Sequence, residues 1–193
     1  IDRYMLQAQE QRVLDRQHRR ELERLNEAYR RFVPQQFLTY LERDEITQVT
    51  RGDQVAREMT VLFCDVRSFT TLSERLGAQG TFDLINELLS YLGPVIRLHG
   101  GIVDKYIGDA IMALFDNASD AVEASADLMR QLERFNAPRR AAGEPEVQIG
   151  VGLNSGSLML GVIGEDERLD GTVIGDVVNL SSRLEGLTKK YRV

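Results

Sequence analysis

Residues 104–115 have the sequence DKYIGDAIMALF, in which a charged turn is followed by an apolar run. The Gly-Asp dipeptide at 108–109 is typical of a tight hairpin, and the segments 102–106 and 110–115 on either side have strand character. The sequence therefore predicts a β-hairpin that carries a lysine and an aspartate at the mouth of a strand that should be buried.

Strands and helices alternate on both sides of this hairpin. Residues 59–64 form a short apolar run that predicts a buried strand ending at Asp65, and apolar residues between 82 and 96 repeat at helical spacing. A second amphipathic helix is expected at 118–136 and another strand at 147–153. This order is that of a split βαβ sheet, antiparallel with helices on one face, so we predict an α+β fold with a ferredoxin-like core. Shorter strands at 157–163 and 172–174 and a final helix at 176–189 are expected behind it.

The first 33 residues differ from the rest, because they contain no Gly or Pro and many Gln, Glu and Arg. Four residues follow the 3-4-3 spacing of a two-stranded coiled-coil seam: Leu22, Leu25, Tyr29 and Phe32. We predict one long helix over 1–33, ended by Pro34, whose last two turns pair with a partner helix. The alternative is a solvated single helix that lies on its own domain.

The chain is expected to have three regions. Residues 1–33 form the helix, 34–58 form a connector with a short helix near 36–42, and 59–193 form the globular domain. The first residue is Ile1 rather than Met, so we expect the chain to be a piece of a longer protein.

Composition excludes several classes of function. The net charge of −6 argues against non-specific nucleic-acid binding. No apolar stretch reaches the length of about 18–20 residues that a membrane span needs. The first residues are charged and lack an apolar run, so we expect no secretory leader. Cys64 is the single cysteine, which rules out an internal disulfide and fits the reducing cytoplasm.

Two aspartates are candidates for a metal site. Asp65 ends the first strand and Asp109 lies in the hairpin turn, and a split βαβ sheet places that strand beside the hairpin. Two close carboxylates repel each other unless a cation lies between them. Mg²⁺ suits such a site, since it takes one or two carboxylates together with substrate phosphates. The alternative for either aspartate alone is an ordinary turn or cap residue.

The glycines between 150 and 164 do not form a known phosphate-binding motif. No Walker loop is present in the sequence, and the spacing of these glycines does not fit a dinucleotide fingerprint. We expect them to serve turns and close backbone approach in the sheet.

Asn179 and Arg183 form a second candidate pair. They are four residues apart on the last predicted helix, so they share a face. An amide and a guanidinium there could bind a sugar oxygen and stabilise a phosphoryl group. The alternative is a pair of ordinary surface residues.

Three blocks of sequence together resemble the class III nucleotidyl cyclases, and adenylate cyclases in particular. They are residues 60–70 (TVLFCDVRSFT), 101–115 (GIVDKYIGDAIMALF) and 172–185 (TVIGDVVNLSSRLE). The similarity runs from about Arg31 to the end of the chain. The resemblance implies conversion of ATP to cyclic AMP and pyrophosphate.

The resemblance also implies metal and base-binding residues. Family members use two aspartates for two metal ions, which correspond to Asp65 and Asp109, and the backbone carbonyl of Val66 would add a ligand. The ions are expected to be Mg²⁺, for which Mn²⁺ can substitute. Lys105 and Thr172 correspond to the residues that bind adenine.

The remaining correspondences concern the reacting groups. Asn179 corresponds to the residue that orients the ribose, and Arg183 to the one that stabilises charge on the α-phosphoryl group. Phe69 and Thr70 are expected to contact the substrate. Many relatives have Asp at the position of Thr172. A threonine at this position resembles the bicarbonate-responsive subgroup.

Family members form head-to-tail dimers with the active sites at the subunit interface, so the resemblance implies a homodimer. Lys105 and Asp109 would then serve opposite sites of one dimer. The N-terminal helix would transmit a signal from an upstream sensor or membrane module. Family members continue past the position of Val193 with strands and a polyphosphate-binding lysine, which Lys189 and Lys190 do not match. We therefore expect a truncated catalytic domain.

Three other functions stay open on the sequence. One is a regulatory or dimerisation domain that keeps the cyclase fold without activity. The second is a guanylate cyclase, although its members typically carry Glu in place of Lys105. The third is a diguanylate cyclase. Residues 106–110 resemble the signature of that class only loosely.

Overall fold

The computed structural model describes residues 2–30 and 35–191. Within them the helices are α1 (Asp2–Arg30), α2 (Gln35–Tyr40), α3 (Phe69–Leu98), α4 (Ala118–Ala141) and α5 (Asp176–Tyr191). The strands are β1 (Gln54–Val66), β2 (Ile102–Ile107), β3 (Ala110–Phe115), β4 (Ile149–Gly164) and β5 (Leu169–Ile174).

The five strands form one antiparallel sheet in the order β2-β3-β1-β4-β5. Its core runs β1, α3, β2, β3, α4, β4 along the chain, which is the predicted split βαβ order. β1 lies in the centre, with Cys64 opposite Ile111 of β3 and Asp65 opposite Gly150 of β4. The predicted α+β fold with a ferredoxin-like core is confirmed.

Two strands are longer than predicted. β1 begins at Gln54 rather than at residue 59, so residues 54–58, expected in the connector, belong to the sheet. β4 is one strand from Ile149 to Gly164, whereas separate strands were predicted at 147–153 and 157–163. Both differences have one cause, because β1 and β4 pair continuously from Gln54 opposite Gly161 to Val66 opposite Ile149.

Helices cover both faces of the sheet. The predicted pair, α3 and α4, packs on one face against buried residues such as Leu62 and Ile111. The prediction of helices on one face only is wrong, because Phe37 of α2 and Val177 of α5 pack on the other face against Val61 and its neighbours. Alternate residues of β1 therefore enter two different cores.

α5 lies unusually close to the sheet. A Cβ at Gly152 would collide with the backbone of Ser181 and Glu185, and one at Gly150 would meet the side chain of Glu185. The Ser181 hydroxyl, fully buried, donates a hydrogen bond of 3.0 Å to the Val61 carbonyl oxygen. Close backbone approach, predicted for these glycines within the sheet, occurs here between sheet and helix.

α1 is a single helix whose apolar seam residues Leu22, Leu25 and Tyr29 are exposed. Phe32 and Pro34, the predicted end of the seam and of the helix, lie outside the described residues. Pairing of α1 with a partner helix stays a prediction. In the described part of the chain, every helix is too short or too polar to cross a lipid bilayer.

We expect Gly152→Ala to destabilise the domain by about 2–3 kcal/mol, because the added methyl group must push α5 away from β4. Gly186→Ala is the matched control, since a Cβ at Gly186 meets nothing within 4 Å and alanine favours the helix. Urea unfolding of both variants measures the difference. Equal stability of the two variants would contradict close α5–β4 packing.

Candidate functional site

Asp65 and Asp109 converge at one end of the central strand. Asp65 is the penultimate residue of β1, and Asp109 lies in the turn between β2 and β3. Burial, and then the hydrogen bond and charge of Asp65, raise the pKa of Asp109 to about 6. The backbone N–H groups of Val66 and Asp109 oppose this rise by donating to the same carboxylate. The two carboxylates predicted to meet are therefore in contact.

This pair has the donor chemistry of a site for a hard divalent cation. A cation between Asp65 and Asp109 would remove the repulsion that raises the pKa of Asp109. In the described part of the chain, no group of three or more His, Cys, Asp or Glu side chains is arranged to hold a metal. An ion held here would need further oxygen ligands from the backbone or from a bound substrate.

Lys105 and Thr172 meet although their strands lie at opposite edges of the sheet. The Lys105 amine donates to Thr172 Oγ1 at 3.3 Å and to the Gly171 carbonyl oxygen at 3.4 Å. Gly171 has no side chain, and Phe37 of α2 packs where a Cβ would lie. A lysine and a threonine hydroxyl are thus held side by side, with hydrogen-bonding capacity left for a ligand.

Asn179 and Arg183 lie on the exposed face of α5, one turn apart as predicted. They line an open pocket of about 570 Å³. Its wall is formed by the β4 residues Asn154, Ser155, Gly156 and Ser157 and by Asp176, Val177 and Leu180 of α5. Most side chains that line the pocket are polar, and the guanidinium of Arg183 is exposed to it. Such a pocket suits an anionic or sugar ligand.

Phe69 and Thr70 begin α3, four and five residues after Asp65. Phe69 is half-buried against the core shared by α3 and α4, and Thr70 is exposed. Ser68, just before them, has a left-handed backbone with φ 56° and makes no side-chain capping bond. The first turn of α3 therefore keeps amide groups that could bind a phosphate.

Comparison with known proteins identifies the family. The model for the adenylate and guanylate cyclase catalytic domain matches residues 52–193. The chain belongs to the class III nucleotidyl cyclases. This cyclase domain is 40% identical to an adenylate cyclase of Anabaena cylindrica over 176 residues, which cover 88% of the chain and 35% of the relative. The chain thus spans about a third of that relative's length.

Solved structures agree with this family. The cyclase domain is 34% identical to the adenylyl cyclase CyaB from P. aeruginosa, with a TM-score of 0.65 over 69% of this chain and 73% of that one. It also resembles the guanylyl cyclase Cya2, at 29% identity and a TM-score of 0.62 over 71% and 72% of the two chains. Cyclases of this family use divalent metal ions, which fits the paired carboxylates.

Two charged residues outside the predicted site, Asp104 and Lys189, contact predicted site residues. The side chain of Asp104 is only 3% exposed, and its Oδ2 lies 3.4 Å from the Lys105 amine. A bulge between Val103 and Lys105 brings these neighbours together, and burial raises the pKa of Asp104. Lys189, which does not match the polyphosphate-binding lysine of the family, lies in the last turn of α5, and its amine donates to Asp65 Oδ2 at 3.1 Å. The sequence could have indicated this contact, because Lys189 follows Glu185 by one helical turn and therefore shares the face of α5 that packs on the sheet.

Six of the nine predicted site residues form three separate groups within the chain. The groups are Asp65 with Asp109, Lys105 with Thr172, and Asn179 with Arg183. Among the described residues, no hydrogen bond or ion pair joins one group to another. α5 separates two of them, since Lys189, which contacts Asp65, follows Asn179 by ten positions, a rise of about 15 Å along the helix.

The raised pKa of Asp109 predicts a pH dependence of the metal-free domain. Below about pH 4 this carboxyl is protonated in both folded and unfolded chains, and its stabilising contribution is lost as the pH rises through about 6. Asp109→Asn removes that loss. In EDTA, we therefore expect the stability of the variant relative to the wild type to rise between about pH 4 and pH 7.

Urea unfolding at both pH values measures this difference. Asp166→Asn is the control, because the Asp166 side chain is 94% exposed and its replacement should act alike at both pH values. A stability difference between Asp109→Asn and wild type that does not change with pH would contradict the carboxylate contact.

Proposed function

We propose that the protein is an adenylate cyclase, which converts ATP to 3′,5′-cyclic AMP and pyrophosphate at the interface of a homodimer. The observation that carries the proposal is the convergence of Asp65 and Asp109 in a cyclase domain. Two Mg²⁺ ions would be held by these carboxylates and by the backbone of Val66. When bound, they lower the pKa of the ribose 3′-hydroxyl and neutralise the polyphosphate.

The residues of the chain supply binding and charge stabilisation. The O3′–Pα bond forms while the bond from the α-phosphorus to pyrophosphate breaks, so negative charge develops on the α-phosphoryl oxygens. Arg183 would stabilise that charge, and Asn179 would hold the ribose in line for attack. Phe69 and Thr70, at the start of α3, would contact the substrate beside the metal carboxylates.

The contact between Lys105 and Thr172 supports ATP as the substrate. The adenine edge offers N1 as an acceptor and N6 as a donor, which the lysine amine and the threonine hydroxyl can satisfy. Guanine has a donor at N1 and an acceptor at O6, so the same pair fits it less well. Guanylyl cyclases among the similar structures make GTP the second candidate.

A head-to-tail homodimer would bring the three groups together. Each site would take Asp65 and Asp109 from one subunit and the other two pairs from its partner. Exposed apolar side chains on the hairpin and on α5 suit such an interface: Tyr106, Ile107, Leu180, Leu184, Leu187 and Tyr191.

α1 would extend this dimer as a coiled coil and carry a signal from an upstream sensor or membrane module. The match to the adenylate cyclase of Anabaena cylindrica covers 88% of the chain, which is more than residues 31–193, so it includes at least the end of α1. The ATP substrate and the buried thiol of Cys64 fit a cytoplasmic location. Sedimentation of the chain with and without residues 1–30 tests whether α1 contributes to the dimer. Unchanged dimerisation without these residues would contradict that role.

The activity test is product formation from Mg²⁺- or Mn²⁺-bound ATP and GTP. We expect cyclic AMP to exceed cyclic GMP by about 10-fold or more, and Asp65→Ala to lower activity by about 100-fold or more, because a metal ligand is lost. The exposed Asp166→Ala is the control. The same chain extended along its natural sequence is assayed alongside, and inactivity of both would favour a regulatory domain.

The dimer predicts complementation between inactive variants. Asp65→Ala and Arg183→Ala damage different halves of the site, so a heterodimer of the two contains one intact site. A mixture should regain about a quarter of wild-type activity, since about half of its dimers are mixed and each has one working site. A mixture of Asp65→Ala with Asp109→Ala is the control and should stay inactive. Inactivity of both mixtures would contradict composite sites.

A further inference from the structure

Lys189 lies at the carboxylate pair to which we assign the metal. It belongs to the last turns of α5, and its amine is 3.1 Å from Asp65 Oδ2. The Lys189 side chain is 47% exposed and that of Asp65 25% exposed, so the pair sits at the rim of the site. A lysine amine so placed uses an oxygen that a bound cation would also need.

Three carboxylates act on this amine through their charges, namely those of Asp65, Glu185 and Asp109. Asp65 contacts Asp109, and Glu185, one turn before Lys189, is buried and feels the charge of Asp65. Lys189 and Arg67 are the cations whose charges act on Glu185. Without a cation at Asp65, this end of β1 would hold like charges in a partly buried setting, which is unfavourable.

The position of Lys189 is set by the packing of α5. Gly150 leaves room for Glu185 against β4, and the buried Ser181 binds the backbone of β1. Residues 181, 185 and 189 follow one another at intervals of one turn, so they share the face of α5 that lies on the sheet. The anchored helix therefore delivers the lysine to Asp65.

We propose that Lys189 is a built-in counter-ion that stabilises the metal-free site and competes with the divalent cation for Asp65. Binding of the metal displaces the amine from Oδ2, and the exposed side chain then moves into solvent. The lysine thus weakens metal binding and keeps the empty site folded. This inference rests on the proposed function for the identity of the site as a metal site.

Lys190 provides a matched control for the charge. It is the next residue on α5, and its amine lies 5.4 Å from the ring centroid of Tyr191. Lys189→Met and Lys190→Met change the net charge equally and keep the length of the side chain. A general electrostatic effect on metal binding would act through both, whereas competition at Asp65 acts through Lys189 alone.

The test is a Mn²⁺ titration of the full chain without nucleotide, in which electron paramagnetic resonance measures the free ion. We expect Lys189→Met to lower the Kd for Mn²⁺ by about 3- to 10-fold, because metal binding no longer has to break an ion pair. Lys190→Met should change the Kd by less than about 2-fold, and Lys189→Arg should stay near wild type. Equal effects of the two methionine variants, or weaker binding in Lys189→Met, would overturn the proposal.

Thermal unfolding gives a second reading of the same competition. In EDTA, Lys189→Met should unfold at a lower temperature than Lys190→Met, and added Mn²⁺ should stabilise it by a larger increment. Asp65→Asn separates the two proposals. If it leaves Mn²⁺ binding unchanged, the proposed metal site is wrong. If it abolishes binding while Lys189→Met matches Lys190→Met, only the role of Lys189 is wrong.

Discussion

The pairing of β1 with β3 on one side and β4 on the other is the constraint on which the site depends. Cys64 lies opposite Ile111 and Val151 in these two ladders, so the position of Asp65 is set from both sides. Alternate residues of β1 enter two separate cores. A shift of one residue would turn both sets of side chains to the wrong face, which makes the register strongly preferred.

α5 links two of the three groups of site residues, because it carries Asn179 and Arg183 and also reaches Asp65 through Lys189. Its buried face, through Ser181, holds the helix against β1, and the missing side chains of Gly150 and Gly152 allow the close approach. Its exposed face carries Asn179 and Arg183. The helix therefore contributes to charge balance at Asp65 in its own chain and presents a polar pair outward, where the proposed partner subunit would lie.

Local signals predicted much of the fold. A Gly-Asp turn between apolar runs predicted the β2–β3 hairpin, and helical spacing predicted α3 and α4, because both patterns act over a few residues. The full lengths of β1 and β4 were missed. Arg57 and Glu58 are polar, and Ser155-Gly156-Ser157 has the composition of a turn, so only the pairing between these two segments makes them strand.

The order of amino acids alone predicted candidate residues for metal, base and phosphate binding. It also predicted the turn that separates Lys105 from Asp109, which the structure confirms. It did not predict two contacts between distant segments. Lys105 reaches Thr172 across 67 positions and Lys189 reaches Asp65 across 124. Such contacts depend on the order of strands and on the twist of the sheet, whereas sequence patterns report only what neighbouring residues prefer. Tertiary structure therefore decided which charges meet at Asp65.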